Sequence, residues 1–199
     1  MYPLFETICV KDGVIQNSEW HQKRYAHSYE AYYSKKAPRA LIEGITVPTE
    51  FSSSVSKLRI SYNEFSRKIE FEKSTFVIGK TLKLVHVDDI DYSLKYSDRN
   101  QLNNLFAQRG TCDDVLISKN GMITDTTYAN IVFTDGMKWY TPSTPLLKGT
   151  CREKLLEEGQ IFEKDISVND LDNYIGFNLI NAMNDLNKKY THKIENIVR

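Results

Sequence analysis

Three Asx–Gly pairs punctuate this chain, and each stands beside runs of strand composition: Asp12-Gly13, Asn120-Gly121 and Asp135-Gly136. Such pairs favour the positive φ angles of a two-residue hairpin turn, so they commit much of the chain to antiparallel neighbours. Phe5-Glu-Thr-Ile-Cys-Val10 leads into the first turn and Val14-Ile15 leaves it, which predicts a hairpin over residues 4–16. Val115 to Ile123 and Asn130 to Tyr140 predict two more, joined by the polar run from Thr124 to Asn130. Lys57 to Tyr62 and Lys68 to Glu72 alternate as a further strand pair around Asn63-Glu64.

Helical periodicity fills the intervals. Asn17 or Ser18 opens a helix predicted to reach Tyr33, with Trp20, Arg24, His27 and Ala31 on one face. A second is predicted over 97–109, capped by Ser97 or Asp98 and closed at Gly110, with Leu102, Leu105 and Phe106 buried. A third opens at Lys148-Gly149-Thr150-Cys151-Arg152 and ends near Gly159. Ile166-Ser-Val predicts a short strand, Asp170 to Tyr174 a helical turn, and Phe177 to Asn181 a last strand. The pattern is α+β, divided into an N-terminal lobe over 1–79 and a C-terminal lobe over 80–199. Ser74 to Lys80 reads as the link, with Gly79 as its flexible point.

Composition removes several functions. Lys plus Arg and Asp plus Glu both number 26, so the chain lacks the basic excess of a nucleic-acid binder. Cys9, Cys112 and Cys151 are widely spaced and form no C-x-x-C, which argues against a disulfide framework and against a metal site. The opening MYPLFETICVKDG has no basic segment followed by an apolar core, and no apolar run is long enough to span a bilayer. The expectation is a cytoplasmic protein with reduced thiols, acting on a small molecule rather than on nucleic acid or membrane.

Candidate chemistry gathers at three places. Lys95, in YSLKYSDRNQLNNL, follows the extended run Leu82 to Ile90 at a predicted strand-to-helix corner; by position alone a solvated lysine at a helix start is the better reading. Asp125 lies in the polar connector between two hairpins. Gly149-Thr150-Cys151 precedes a helix whose backbone N–H groups and dipole can hold an anion. Pyridoxal 5'-phosphate asks for all three: a lysine, a carboxylate against its ring nitrogen, and a phosphate cradle. Arg24 would add a charge-assisted phosphate contact from the first lobe and put the cofactor between lobes, although a snorkelling surface arginine fits the same pattern.

Four segments stand in a familiar order: Phe5-Glu-Thr-Ile with Asp12-Gly13 and His21-x-x-Arg24; Lys95; Gly121-x-x-x-Asp125-x-x-x-x-Asn130-Ile; and Thr141-Pro142 with Leu147-x-Gly149-x-x-Arg152. With them the chain resembles the class IV aminotransferases, the fold-type IV pyridoxal-phosphate enzymes, which include branched-chain and D-amino acid aminotransferases and 4-amino-4-deoxychorismate lyase. The resemblance implies a two-lobed, D-amino acid aminotransferase-like fold with a shortened N-terminal lobe, lacking the strand that usually precedes Phe5, and a homodimer with its active site near the interface. It makes Lys95 the Schiff-base lysine, Asp125 the acid facing the ring nitrogen, and Arg24 the phosphate-binding arginine. Thr150 and Cys151 become the pair whose amides bind phosphate, and Asn130 the support of their loop.

The chain departs from the family pattern in three positions: Asp125 stands where Glu is usual, Cys151 where Thr is expected, and Ala182 where a hydroxyl is expected. Arg59 and Arg99 are candidates for a substrate carboxylate, and Arg152 reads as structural. The short first lobe and Ile180-Asn-Ala-Met183 look more like the lyase, which eliminates pyruvate to give 4-aminobenzoate for folate synthesis. An amino-acid aminotransferase is the alternative, and a non-catalytic family member the third reading.

Overall fold

In the computed structural model, which describes residues 1–74 and 79–199, the first Asx–Gly turn closes as the sequence predicts. Strands β1 (Leu4–Lys11) and β2 (Val14–Ile15) meet through Asp12 at φ 50° and Gly13 at φ 75°. Helix α1 (Ser18–Tyr33) follows, then the strand pair β3 (Ser56–Tyr62) and β4 (Arg67–Lys73). These strands form an antiparallel sheet in the order β2-β1-β3-β4. The period of two along β1 sends Leu4, Glu6, Ile8 and Val10 to one face, where they are fully buried. Leu58 and Ile60 of β3 join that face, with Tyr25 and Tyr29 of α1 and Leu41 packed over it. Each such buried apolar side chain contributes roughly 1.5–3 kcal/mol.

The buried face of α1 is His21, Tyr25, Ser28 and Tyr29, one residue out of phase with the predicted stripe of Trp20, Arg24, His27 and Ala31. Two tyrosine rings set the phase: Tyr25 packs edge-on against Tyr62 of β3 and against Tyr29, which shares its buried face. His27 and Ala31 are exposed instead.

The chain divides into two compact units, Met1–Phe76 with Leu94–Asp98, and Val77–Ser93 with Arg99–Arg199. Lys95 therefore groups with the first unit, not with the C-terminal lobe to which the sequence reading gives it. Backbone hydrogen bonds explain this. Phe5 N donates to Lys95 O at 3.1 Å and Ser97 N to Pro3 O at 2.7 Å, while Leu4 and Tyr96 form an antiparallel bridge. Tyr96 N also donates to Leu94 O at 2.8 Å, so Lys95 is the central residue of a γ-turn stitched to the edge of β1. Nor do Ser97 and Asp98 cap a helix as expected: helix α2 (Asn100–Phe106) starts beyond them, with Arg99 at its cap position.

In the second unit come β5 (Leu82–His86), α2 with a 3-10 turn over Ala107–Arg109, β6 (Asp114–Lys119), β7 (Met122–Thr126), β8 (Asn130–Thr134) and β9 (Trp139–Pro142). Helix α3 (Thr150–Glu157), β10 (Phe162–Lys164), a 3-10 turn over Val168–Asn173, β11 (Gly176–Ile180), β12 (His192–Lys193) and β13 (Ile197–Val198) complete it. The described strands join in the order β10-β9-β8-β7-β6-β5-β13, and β11 pairs with both β8 and β12. Leu82, Leu116, Ile131, Phe133, Phe177 and Leu179 lie in its core.

Here too the expectations need revision. Asn120-Gly121 makes the predicted tight turn, at φ 52° and 76°. Asp135-Gly136 does not: Thr134 pairs with Trp139, and Asp135 Oδ1 accepts from Met137 N and Lys138 N at 2.9 and 2.8 Å, closing a wider loop. The polar connector shrinks to residues 127–129, because β7 runs on to Thr126 and carries Asp125 within a strand. Ile166-Ser-Val forms no strand, only a bridge from Ser167 to Met122. Most of the predicted link, residues 75–78, lies outside the described residues, but Gly79 is no loose hinge. A Cβ there would fall 2.7 Å from Cβ of Asp113, and Asp113 Oδ2 accepts from Lys80 N and Thr81 N at 2.8 and 3.0 Å. Glycine allows this close approach. No helix among the described residues is long and apolar enough to cross a membrane.

Candidate functional site

In the second unit the candidate residues converge on Asp125. Its register partner on β8 is Asn130, the one paired position between the two strands. The Asn130 amide donates from Nδ2 to Asp125 Oδ1 at 2.7 Å and to Leu147 O at 2.8 Å. Leu147 N returns a hydrogen bond to Asp125 Oδ2 at 2.9 Å. A strand acid, a strand amide and a loop peptide thus form a closed ring that fixes the chain just before α3. Asn130 Oδ1 lies directly beneath Gly149, where a Cβ would come within 1.9 Å of it. Only glycine lets the loop cross Asn130 this closely.

Burial pushes the Asp125 carboxyl up to about 6, against the pull of the Leu147 N–H, the Asn130 amide and the Arg152 charge. Each carboxylate oxygen has one of these bonds and keeps further acceptor capacity. Beyond Gly149, α3 begins with Thr150 and Cys151, both buried. The first turn of a helix leaves backbone N–H groups without intrahelical acceptors, and its dipole favours an anion there. The Cys151 thiol takes no part in such a cradle. Its Sγ lies 3.5 Å from Asp185 Oδ1, and burial followed by the Asp185 charge pushes the thiol well above the ordinary range. Ala182 sits in a bend that Asn181 and Asn184 close by reciprocal backbone hydrogen bonds of 2.9 and 3.1 Å.

Two other arginines of this unit are engaged. Arg152 is fully buried and donates from Nη2 to Pro142 O and Glu163, at 3.0 and 2.5 Å, and from Nη1 to Glu153 at 2.6 Å. That suits the structural part expected of it. Arg99 donates to Tyr92 Oη at 3.2 Å and to Thr127 O at 2.6 Å, with its guanidinium 4.6 Å from the Tyr128 ring centre. It braces the short β7–β8 connection.

The first unit holds Lys95, Arg24 and Arg59. Phe5 presents its ring to two cations, the Arg59 guanidinium at 3.7 Å and the Lys95 ammonium at 4.8 Å from its centroid. Arg24 meets Glu6 along one edge, Nε to Oε1 at 2.8 Å and Nη2 to Oε2 at 2.5 Å. His21 Nδ1 stands 2.7 Å from the same Oε2. Burial alone would raise the Glu6 carboxyl, but the Arg24 charge and the hydrogen bonds from His21 and Arg24 outweigh it and hold the group at about 2. Burial lowers His21 against the pull of Glu6, so the ring is a neutral donor to an ionised carboxylate.

Glu6 is the buried charge that the sequence reading passes over. A signal was present: in the alternation Leu4, Glu6, Ile8, Val10 it is the only charged residue on an apolar face. A carboxylate in that register demands a partner, and His21 and Arg24 stand three apart on the facing helix.

Within the second unit the residues fit parts of the cofactor expected from the sequence: the Gly149 loop and the first turn of α3 suit a phosphate, and Asp125 is a desolvated acid that gains from a cationic N–H. Among the described residues no group of His, Cys, Asp and Glu is placed to hold a metal ion.

Known proteins resemble the chain in sequence and in fold. The sequence profile of the family described as Amino-transferase class IV matches residues 53–186. An uncharacterised protein of Haemophilus influenzae is 48% identical over 188 residues, which is 94% of this chain and 100% of that protein. A crystal structure from Haemophilus somnus, of a protein provisionally named 4-amino-4-deoxychorismate lyase, superposes with a TM-score of 0.85 at 37% identity, covering 94% of this chain and 98% of its own. A hypothetical aminotransferase of Mycobacterium tuberculosis, solved in a pyridoxal-phosphate-bound form, has the same fold at 18% identity, with a TM-score of 0.75 over 98% of this chain and 81% of its own.

Proposed function

The chain belongs to the class IV aminotransferase family, and from that premise we propose that it is a pyridoxal 5'-phosphate-dependent lyase that removes pyruvate from 4-amino-4-deoxychorismate to give 4-aminobenzoate for folate synthesis. The observation that carries the lyase over the aminotransferase is the full-length match to the Haemophilus somnus protein at 37% identity. Its provisional name states this chemistry, and the two chains share nearly their whole length.

In this reading each candidate residue has a task. Bound pyridoxal phosphate supplies a ring that accepts the electron pair released at the substrate carbon. Lys95 provides the amine that anchors the cofactor. As a free amine it would take the proton whose loss begins aromatisation and would return it to the oxygen of the departing enolate. Asp125 holds a proton on the ring nitrogen by accepting its hydrogen bond. Arg24, with the backbone N–H groups of Thr150 and Cys151, holds the phosphate, and Asn130 keeps Gly149 and its loop in place. Asp125 is one methylene shorter than the family's usual Glu, and the Asn130 amide and Leu147 N–H steady its carboxylate where a longer side chain would reach unaided.

The reading extends to a homodimer in the cytoplasm, where the free Cys9, Cys112 and Cys151 would stay reduced. Sizing chromatography tests the dimer. The activity test is direct: purified protein loaded with pyridoxal phosphate should turn yellow, and borohydride should fix the cofactor on Lys95. Aminodeoxychorismate should then yield 4-aminobenzoate and pyruvate, while an amino acid with a 2-oxo acid yields no exchange. Exchange without aminobenzoate would make the protein an aminotransferase. A colourless protein that no added cofactor tints would exclude both enzymes.

A further inference from the structure

We propose that Glu6 is a positioning residue, which sets the donor edge that Arg24 turns toward an anionic group; this rests on Arg24 being a phosphate ligand. A guanidinium offers two edges that match a bidentate oxyanion: the side edge of Nε and one Nη, and the end edge of both Nη atoms. Glu6 occupies the side edge with both oxygens, at 2.8 and 2.5 Å. This two-point grip restrains rotation of the guanidinium plane and so fixes the direction in which its end edge points. His21 Nδ1, 2.7 Å from Oε2, holds the carboxylate from its other side, so the clamp does not depend on Arg24 alone. The three partners come from β1 and from successive positions along α1, and both Glu6 and His21 are essentially without solvent exposure.

Apolar packing gives no reason for an acid at this position. Leu4, Ile8 and Val10 share its face of β1, and an apolar side chain would pack beside them without the desolvation of two charges. A fully buried ion pair bought at that cost is expected where the direction of a functional group matters. Because Arg24 is itself part-buried, losing Glu6 would leave its long side chain to find another rotamer.

The experiment compares pyridoxal 5'-phosphate with pyridoxal, which lacks the phosphate, by titrating the visible absorbance of the apoprotein. Arg24→Met should weaken binding of the phosphate ester and leave pyridoxal unchanged. Glu6→Gln, which conserves volume, should raise the dissociation constant of the ester about tenfold and leave that of pyridoxal within a factor of about two. The double variant should be no worse than Arg24→Met, since Glu6 acts through Arg24. A merely structural Glu6 would weaken both ligands alike. Equal loss for both, an unchanged ester affinity, or additive single effects would overturn the proposal while leaving Arg24 as a ligand. If Arg24→Met itself fails to distinguish the two ligands, the phosphate assignment of Arg24 falls, and this proposal with it. Circular dichroism checks folding, and if Glu6→Gln does not fold, Glu6→Asp is read against the same limits.

Discussion

Replacing Asp125 by Asn should make the apoprotein more stable at neutral pH, and the gain should disappear in acid. The wild-type carboxyl is buried, and desolvation outweighs its hydrogen bonds, so its pKa stands at about 6. An unfolded aspartate titrates near ~3.9. The folded chain therefore binds the proton more tightly than the unfolded chain, and wild-type stability falls as pH rises between these values. The full penalty for ionised Asp125 is about 3 kcal/mol above pH 7, and about 2 kcal/mol of it is recovered by pH 4. Asn cannot ionise, and its side-chain oxygen still accepts from Leu147 N or from the Asn130 amide.

Urea unfolding of both apoproteins at a series of pH values isolates this group, because all other titrations cancel in the difference. The advantage of Asp125→Asn should shrink by about 2 kcal/mol from pH 8 to pH 4, a relative shift of roughly 4–8 °C in midpoint temperature for a chain of this size. Bound cofactor should reduce the wild-type penalty, since a protonated ring nitrogen offsets the desolvated charge, and should do little for the variant. A stability difference that stays flat from pH 8 to pH 4 would refute the claim that Asp125 is an ionised, under-compensated acid.

Gly149→Ala should destabilise the protein by about 2–4 kcal/mol and weaken cofactor binding, since its Cβ would sit 1.9 Å from Asn130 Oδ1; thermal unfolding and absorbance titration check the two effects. Cys151→Thr and Ala182→Ser should each tighten pyridoxal-phosphate binding about fivefold, and together about thirtyfold, as hydroxyls net about 1 kcal/mol each; a weaker complex would mean that the Cys151–Asp185 contact supports the loop more than a hydroxyl would help. Glu6, held at about 2 in the folded chain, stabilises it above the ordinary glutamate range and loses that contribution as pH falls toward 2. The stability gap between wild type and Glu6→Gln should accordingly narrow by about 3 kcal/mol over that descent, which acid titration of unfolding measures.

Where local chemistry governs, the sequence was readable. Asp12-Gly13 and Asn120-Gly121 adopt positive φ as their residue types require, and α1 and α3 lie where periodicity puts them. Non-local packing governs the rest. The phase of α1 depends on which rings a separate sheet accepts, and no helix-only pattern favours Tyr25 over Arg24. Asp125 reads as a loop residue because Thr124 to Thr127 are polar, but their hydroxyls are satisfied inside the structure: Thr124 donates to Ile117 O at 2.8 Å and Thr127 to Asp114 at 2.6 Å. Lys95 reads as a helix start because Ser97 and Asp98 are good caps. Its actual anchor, the edge of β1, lies some ninety residues earlier, and such pairings leave no local trace.

Glu6 in the first unit and Asp125 in the second are buried carboxylates with pKa values displaced in opposite directions, and the contrast assigns their work. Glu6 finds a guanidinium and an imidazole within its own unit, so its charge is compensated before any ligand arrives. A ligand group would gain little from Glu6 directly, and its influence passes through Arg24. Asp125 is ringed by neutral donors, a side-chain amide and a peptide N–H. The nearest cation acting on it, Arg152, spends its hydrogen bonds on Pro142, Glu153 and Glu163. Ionised Asp125 is therefore the acid that gains most from a cationic N–H partner, as a protonated pyridine ring provides. Lyase and aminotransferase chemistry both need that protonated ring, so in the proposed reading Asp125 would serve either reaction without choosing between them. The choice falls to whichever residues hold the substrate's carboxylates, and there the aminodeoxychorismate assay decides.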